Sequence, residues 1–309
     1  MKQLTLIIPV YNEELSIPVF VKEFREFYSE LQVKGYATEL LFVDDGSKDN
    51  TCHVLTKLAQ ENDDISVLIF SRNFGKEAAL FAGLENAKGS IVIPMDVDLQ
   101  DPFDMIPLMI DEYEKGADVV LARRINRSND RFLKRFSAQW FYRLNNKMSS
   151  LKLEENVGDF RLMTQQVVNE IISLQENQLF MKGLMSWVGF NTAIVDYVRP
   201  NRKEGKTKFN YRKLWNLAVQ GITSFSTLPL KVWTYFGSII AFISFLYGLK
   251  IIVEKLFFGI NASGYASLMV AILFFGGVQL IGIGVLGEYL GRTYLESKRR
   301  PKYIIKNKI

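Results

Sequence analysis

IVIPMDVDLQDP, residues 91–102, decides the fold. Ile91 to Met95 is an apolar run of strand length, and Asp96, Asp98, Gln100 and Asp101 follow it without a break. A buried strand that ends in crowded carboxylates is where an open α/β sheet places its ligand. Carboxylates this close repel one another, so the cluster calls for a cation. Hard oxygen ligands in a short loop suit Mg²⁺ or Mn²⁺, with diphosphate oxygens completing the shell. The alternative is a solvated acidic turn with no ligand.

The surrounding sequence supplies a sheet for that strand. Leu4–Val10, Glu39–Asp44, Ile65–Ser71, Ser90–Met95 and Asp118–Ala122 read as strands. Helical periodicity fills the gaps at about 14–34, 49–61, 76–88 and 103–115. Repeated βα units predict a mostly parallel, Rossmann-like sheet with helices on both faces. Three strands end in polar punctuation: PVYNEE at 9–14, DDGS at 44–47, and the acidic cluster. In a parallel sheet these ends share one edge and can line one crevice. There an aromatic ring can stack on a base, carboxylates can accept base or ribose protons, and a metal can take a diphosphate.

Composition narrows the chemistry. Among 309 residues there is one cysteine, Cys52, and one histidine, His53. No intramolecular disulfide or cysteine zinc site is possible, and acid–base work falls to Asp or Glu. His53 reads as a structural or exposed residue early in a helix. The formal charge of +5 is uneven. Residues 199–213 and 292–308 each carry seven basic side chains against one acidic, which leaves the remainder net acidic. Nucleic acid is one partner for such collars, but their position argues for a membrane instead.

Trp233–Val253 contains a single charge, Lys250, and Tyr265–Leu286 contains none. Each is long enough to cross a hydrocarbon core of roughly 30 Å as a helix. The short linker makes them a hairpin, with Lys250 snorkelling outward. The basic collars flank the opposite end, so the positive-inside rule places the first 230 residues and the C-terminal tail in the cytoplasm. Leu4–Val10 is too short for a signal core and reads as the first strand. Within 208–230, Tyr211, Leu214, Trp215, Leu217, Ala218, Ile222 and Phe225 recur at helical spacing beside Lys208, Arg212 and Lys213. That pattern predicts an interfacial amphipathic helix, with packing on the globular domain as the plainer alternative.

Two motif matches fail on context. Gly282-Ile283-Gly284-Val285-Leu286-Gly287 spells a dinucleotide fingerprint, but it lies inside a membrane-length run with no strand before it. Close helix packing through small residues explains it better. Gly205-Lys206-Thr207 resembles the end of a P-loop, but Pro200 stands where its first glycine belongs.

Taken in order, PVYNEE at 9–14, VDDGS at 43–47, RNFGKEAA at 72–79, DVDLQDP at 96–102, ARR at 122–124, GDFRLM at 158–163 and RKEGKTK at 202–208 resemble the family-2 glycosyltransferases of GT-A fold. The narrower resemblance is to polyprenyl-phosphate glycosyltransferases, both dolichyl-phosphate mannose synthases and bacterial bactoprenol glucosyltransferases. It spans nearly the whole soluble part and continues through the two-helix tail. It implies a catalytic domain at 1–208, interfacial helices at 209–230, a hairpin at 231–289 and a basic cytoplasmic tail at 290–309. It implies that Pro9, Tyr11, Glu13 and Asp45 surround the donor's base and ribose, with Asp44 nearby. Asp96, Val97 and Asp98 should line the ribose and diphosphate. Asp98 and Gln100, with Asp96, should hold Mg²⁺ or Mn²⁺, and Arg123 should face the donor sugar or its phosphates. Arg135, Ser137, Arg202 and Lys208 should hold the lipid phosphate, and Asp159 is the general-base candidate. The chain departs from the family pattern at Val97, where alanine is frequent, and at Phe103, where a second proline is frequent.

The implied reaction is inverting transfer of one sugar from a nucleotide diphosphate to a polyprenyl phosphate on the cytoplasmic face of a bacterial inner membrane. The two-helix tail and the GDFRLM form place UDP-glucose first, UDP-N-acetylglucosamine second and GDP-mannose third. Such an acceptor is a phosphate monoester, already mostly dianionic at pH 7 because its second pKa is about 6. Asp159 should therefore orient the acceptor or a basic partner more than abstract a proton. Two other readings compete. A processive synthase needs more spans and a QxxRW motif, and no Arg-Trp pair occurs here. A non-catalytic membrane adaptor or lipid carrier would be expected to have lost the acidic cluster or Gly158-Asp159-Phe160, and both are intact. Small-residue helix faces also permit self-association.

Overall fold

The computed structural model describes residues 2–125, 154, 156–174, 176, 179–198, 227–258 and 264–309. Its strands are β1 (Lys2–Val10), β2 (Tyr36–Asp44), β3 (Ile65–Phe70), β4 (Ile91–Pro94), β5 (Val119–Arg124), β6 (Val157–Thr164), β7 (Thr192–Tyr197) and β8 (Ile305–Lys308). Its helices are α1 (Ser16–Val33), α2 (Thr51–Glu61), α3 (Lys76–Asn86), α4 (Met105–Glu114), α5 (Gln165–Ser173), α6 (Met181–Trp187), α7 (Leu228–Phe258) and α8 (Tyr265–Ser297).

All eight strands form one sheet in the order β7-β5-β6-β4-β1-β2-β3-β8. The centre is parallel: β1 pairs with β2 and β4, and β2 with β3. Alternation along β1 explains its central place. Leu4, Leu6, Ile8 and Val10 enter the core under α1, α2 and α4, while Ile7 enters the core under α3, α5 and α6. A strand buried on both faces needs helices on both, and the βα repeats deliver them.

The flanks differ from the expected mostly parallel sheet. β6 enters between β4 and β5 and runs antiparallel to both, so the fourth and fifth predicted strands are not neighbours. Its polar start, Gly158-Asp159 followed by Arg161, hides a strand whose Phe160, Leu162 and Met163 are buried. At the other edge, β8 pairs antiparallel with β3. The basic tail at 290–309 therefore adds a strand to the edge of this sheet.

Two helices are long and apolar enough to cross a membrane, over Leu230–Lys250 and Ser267–Ser297. Their apolar side chains are exposed all round, with Phe242 at 63% and Leu280 at 69%, as expected for lipid-facing surface. α7 begins at Leu228, inside the stretch assigned to interfacial helices; the rest of that stretch, 209–226, lies outside the described residues. α8 continues past Leu286 to Ser297. At 1.5 Å per residue it measures about 50 Å, well beyond a core of roughly 30 Å. Its last turns carry Glu288, Arg292 and Glu296, with Arg292 bonded to Glu288 at 3.0 Å. The helices touch where Gly282 faces Trp233; a Cβ on Gly282 would lie 2.7 Å from Trp233 Cζ2. Gly284 and Gly287 meet nothing within 4 Å, so within the false fingerprint only the first glycine serves close packing.

Candidate active site

The carboxyl ends of β1, β2 and β4 open into a crevice of about 480 Å³. Pro9, Tyr11, Glu13, Asp45, Asp96, Val97 and Asp98, seven of the expected donor-site residues, line it together. The parallel register causes this convergence: Pro9 lies opposite Val43 on one side, and Ile7 opposite Pro94 on the other. Each chain then leaves the sheet on the same edge.

The loops after β1 and β2 brace each other. Asn12 donates its backbone N–H to Ser47 Oγ at 2.9 Å, and its Oδ1 accepts from the Lys48 N–H at 2.8 Å. Glu13 donates its N–H to Thr51 Oγ1 at 2.8 Å, and its carboxylate accepts from Ser16 Oγ at 2.6 Å. Tyr11 keeps 40% of its surface exposed, so its ring is open to stack on a base. Asp45 is 4% exposed; its Oδ1 accepts the N–H of Phe74 at 2.7 Å and that of Gly75 at 3.1 Å. It holds the 72–75 loop as the crevice wall. Burial pushes its carboxyl above the usual range, against the pull of those N–H donors. Gly46 makes the approach possible. Its φ is +67°, and a Cβ there would lie 2.7 Å from Asn73 N.

Asp44 does not reach the crevice. It is 1% exposed and caps the Gly46-Ser47 turn by accepting from Ser47 N at 3.0 Å and from Ser47 Oγ. Alternation decides this, since adjacent residues at a strand end point to opposite sides.

The acidic loop divides at a turn instead. Asp96 and Asp98 line the crevice, while Gln100 and Asp101 are buried at 6% and 3%. Leu99 takes φ +58°, a left-handed conformation that costs a side-chain-bearing residue about 1 kcal/mol or more. That turn separates the two pairs. Asp98 Oδ1 accepts the Gln100 N–H at 3.2 Å. Asp101 Oδ1 accepts from Tyr197 Oη at 3.1 Å, and Tyr197 Oη accepts from Arg124 Nε at 3.0 Å. Asp101 thus anchors the loop from behind. Gln100, expected as a metal ligand, is not among the crevice residues.

Arg123 also lies elsewhere. It forms a two-pronged ion pair with Asp196 on β7, at 2.6 and 2.9 Å. Arg135, Ser137, Arg202 and Lys208 lie outside the described residues.

Asp159 stands on β6. Lys76, the first residue of α3, connects it to the crevice. Lys76 Nζ lies 2.6 Å from Asp96 Oδ1 and 2.9 Å from Asp159 Oδ2. Burial pushes the Asp159 carboxyl up, but Lys76, Lys182 and Arg161 outweigh it and hold the group below the usual carboxylate range. Arg161, 3% exposed, donates to the Gly158 carbonyl at 2.9 Å. Burial draws its pKa down to about 10 against the pull of Asp159, so it stays charged at neutral pH. Sequence reasoning assigned Lys76 no role. Its placement carried a signal, because a cation at a helix N-terminus opposes the helix dipole.

Among the described residues no three His, Cys, Asp or Glu side chains converge into a metal cage. Two crevice carboxylates, Asp96 and Asp98, instead suit an ion such as Mg²⁺, which is held by one or two carboxylates and completed by ligand phosphates.

Comparison with known proteins agrees with this architecture. Residues 5–172 match Glycosyl transferase family 2, and residues 228–293 match the GtrB C-terminal hairpin. The bactoprenol glucosyl transferase of Shigella phage SfV is 58% identical over 99% of this chain and 98% of its own length. The prophage bactoprenol glucosyl transferase homolog of Escherichia coli K12 is 56% identical over 98% of both chains. Among solved structures, glucosyl-3-phosphoglycerate synthase from Mycobacterium tuberculosis is 19% identical with a TM-score of 0.46, covering 72% of this chain and 78% of that one.

Proposed function

Because the chain belongs to glycosyl transferase family 2, we propose that its crevice takes glucose from UDP-glucose and passes it to a polyprenyl phosphate at the membrane surface. The chain is a glycosyltransferase with a GT-A-like domain, and two apolar helices associate it with the membrane. The supporting observation is that an exposed ring, Tyr11, and a carboxylate pair, Asp96 and Asp98, line one crevice. Its volume of about 480 Å³ falls within the range of small-molecule sites, about 300–1,000 Å³. The bactoprenol glucosyl transferase relatives support glucose as the sugar and a polyprenyl phosphate as the acceptor.

The reaction is one displacement at the anomeric carbon. A phosphate oxygen of the acceptor forms the new bond as the bond to the donor diphosphate breaks. UDP leaves with the electron pair, and the anomeric configuration inverts. The transition state has oxocarbenium character, as in glycoside hydrolysis. Asp98 and Asp96 would hold Mg²⁺ or Mn²⁺, which would supply charge stabilisation for the leaving diphosphate. Asp159 orients its cationic neighbour and takes no proton, since the acceptor is already largely a dianion.

Pairing of β8 with β3 supports a hairpin whose two ends lie on one side of the membrane with the catalytic domain. The basic collars make that side cytoplasmic. Anchoring confines the search for a lipid acceptor to the membrane surface, which raises its effective concentration.

The test uses purified full-length protein in liposomes with undecaprenyl phosphate and Mn²⁺ or Mg²⁺. UDP-glucose, UDP-N-acetylglucosamine and GDP-mannose are offered separately, and the lipid product is weighed by mass spectrometry. A single-hexose lipid from UDP-glucose, abolished by EDTA or Asp98→Ala, is expected. Product from another donor alone would overturn the choice of sugar. Donor binding without transfer would overturn the acceptor.

A further inference from the structure

Lys76 is the one cation that joins the crevice to Asp159 among the described residues. An ammonium has three N–H donors. Two are aimed at Asp96 and Asp159, at 2.6 and 2.9 Å, which leaves one for a third acceptor. The side chain of Lys76 is 45% exposed and that of Asp159 only 18%. An anion entering the crevice therefore meets the ammonium before the carboxylate behind it.

The surroundings hold this ammonium in place. Asp45 fixes the turn before it by accepting from the Phe74 and Gly75 N–H groups. Next to it, Glu77 accepts the Met181 N–H at 2.7 Å and ties the start of α3 to α6. One anchor holds the backbone just before Lys76 and the other holds the Glu77 side chain just after it, so the lysine stem leaves a fixed point. Its position opposes the helix dipole, and it bridges two carboxylates rather than pointing into open water.

We propose that Lys76 binds a phosphoryl oxygen during transfer, and that Asp159 is a positioning residue acting through it. This rests on the glycosyltransferase reading above. The phosphoryl oxygen belongs either to the donor diphosphate or to the acceptor monophosphate, and one set of variants separates them. Asp96 is the partner that changes. When it turns to a divalent cation, Lys76 exchanges that carboxylate for phosphate and keeps Asp159.

The experiment compares wild type, Lys76→Met, Lys76→Arg, Asp159→Asn and the Lys76→Met/Asp159→Asn double variant in full-length protein. UDP affinity is read by calorimetry with Mn²⁺ present, KM and kcat for undecaprenyl phosphate by product formation, and folding by thermal melting. Loss of one preorganised donor predicts a fall of about 100-fold in kcat/KM for Lys76→Met, with partial recovery in Lys76→Arg. The double variant should fall little below Lys76→Met, because the two residues act as a unit. Weaker UDP binding in Lys76→Met assigns the donor diphosphate. Unchanged UDP binding with a raised KM for the lipid assigns the acceptor. Two results overturn the proposal: UDP affinity and lipid kinetics both within twofold of wild type in Lys76→Met, or losses that multiply in the double variant. Asp98→Ala serves as the control. If it loses UDP while Lys76→Met keeps both UDP affinity and lipid kinetics within twofold of wild type, the donor site stands and the lysine's role falls. If wild type binds no UDP, the donor reading fails and the proposal falls with it.

Discussion

Asp159 is ionised wherever the protein is folded near neutral pH. Three neighbouring cations hold its pKa below the usual carboxylate range despite burial. A group so depressed is a weak base, so Asp159→Asn should keep a measurable rate, flat above about pH 7 where the acceptor phosphate is already dianionic. Complete loss in a folded variant would restore the base. The linkage sign follows from the same shift. The stability that the carboxylate contributes is present above its unfolded pKa of about 4 and is lost as pH falls through the lower folded value. Gly46 sets a second test. Its φ of +67° and its closeness to Asn73 N leave no room for a methyl group. Gly46→Ala should cost about 2 kcal/mol, or roughly 4–8 °C in a melt, and should weaken UDP binding by displacing the 72–75 loop. At this scale Tyr11, Asp45, Asp96 and Asp98 were legible, because the βα pattern puts strand ends on one edge. Asp44, Gln100 and Arg123 do not line the crevice. Residue type and spacing do not say to which side of a strand end or turn a side chain points, and at Leu99 a left-handed residue inverts the alternation.

Between elements, helices α1 to α4 and strands β1 to β5 agree with the alternation of apolar runs and helical periodicity to within a few residues. β6 and β7 were not anticipated. β7 exposes alternate residues at the sheet edge, and β6 begins with glycine and a charge, so neither carries a long apolar run. The hairpin offers a sharper contrast. Gly282 faces Trp233, whereas Gly284 faces open space. Gly282→Ala should therefore lower the stability of the folded hairpin in detergent by about 1 kcal/mol through overpacking. Gly284→Ala should leave it unchanged within the error of a thermal melt.

Across the whole molecule, the tail joins the two halves. Tyr303 stacks on Phe70 at 5.0 Å, and its hydroxyl donates to Glu85. Lys302 lies 3.6 Å above the Phe81 ring and donates to the Leu174 carbonyl at 2.9 Å. Ile309 exchanges backbone hydrogen bonds with Val67 at 2.8 and 3.0 Å. The tail covers the exposed edge of β3 and ties α8 to the catalytic sheet. Removing residues 303–309 should uncouple the hairpin from the domain. Transfer to a membrane-embedded acceptor is expected to fall further than UDP affinity, measured on the same truncated protein in liposomes. Equal losses in both would mean that the tail only stabilises the sheet.

The parallel centre of the sheet, the edge on which the crevice forms, the acidic pair and the two membrane-length helices are legible along the chain. Each of these depends on local periodicity or on run length, which a chain carries without reference to distant residues. Three-dimensional packing sets Lys76 between Asp96 and Asp159, turns Asp101 and Gln100 inward, and returns the last residues to pair with β3. These contacts join positions 20, 83 and more than 200 residues apart. Their partners are chosen by the packing of the sheet and its helices, and no spacing rule within one segment specifies it.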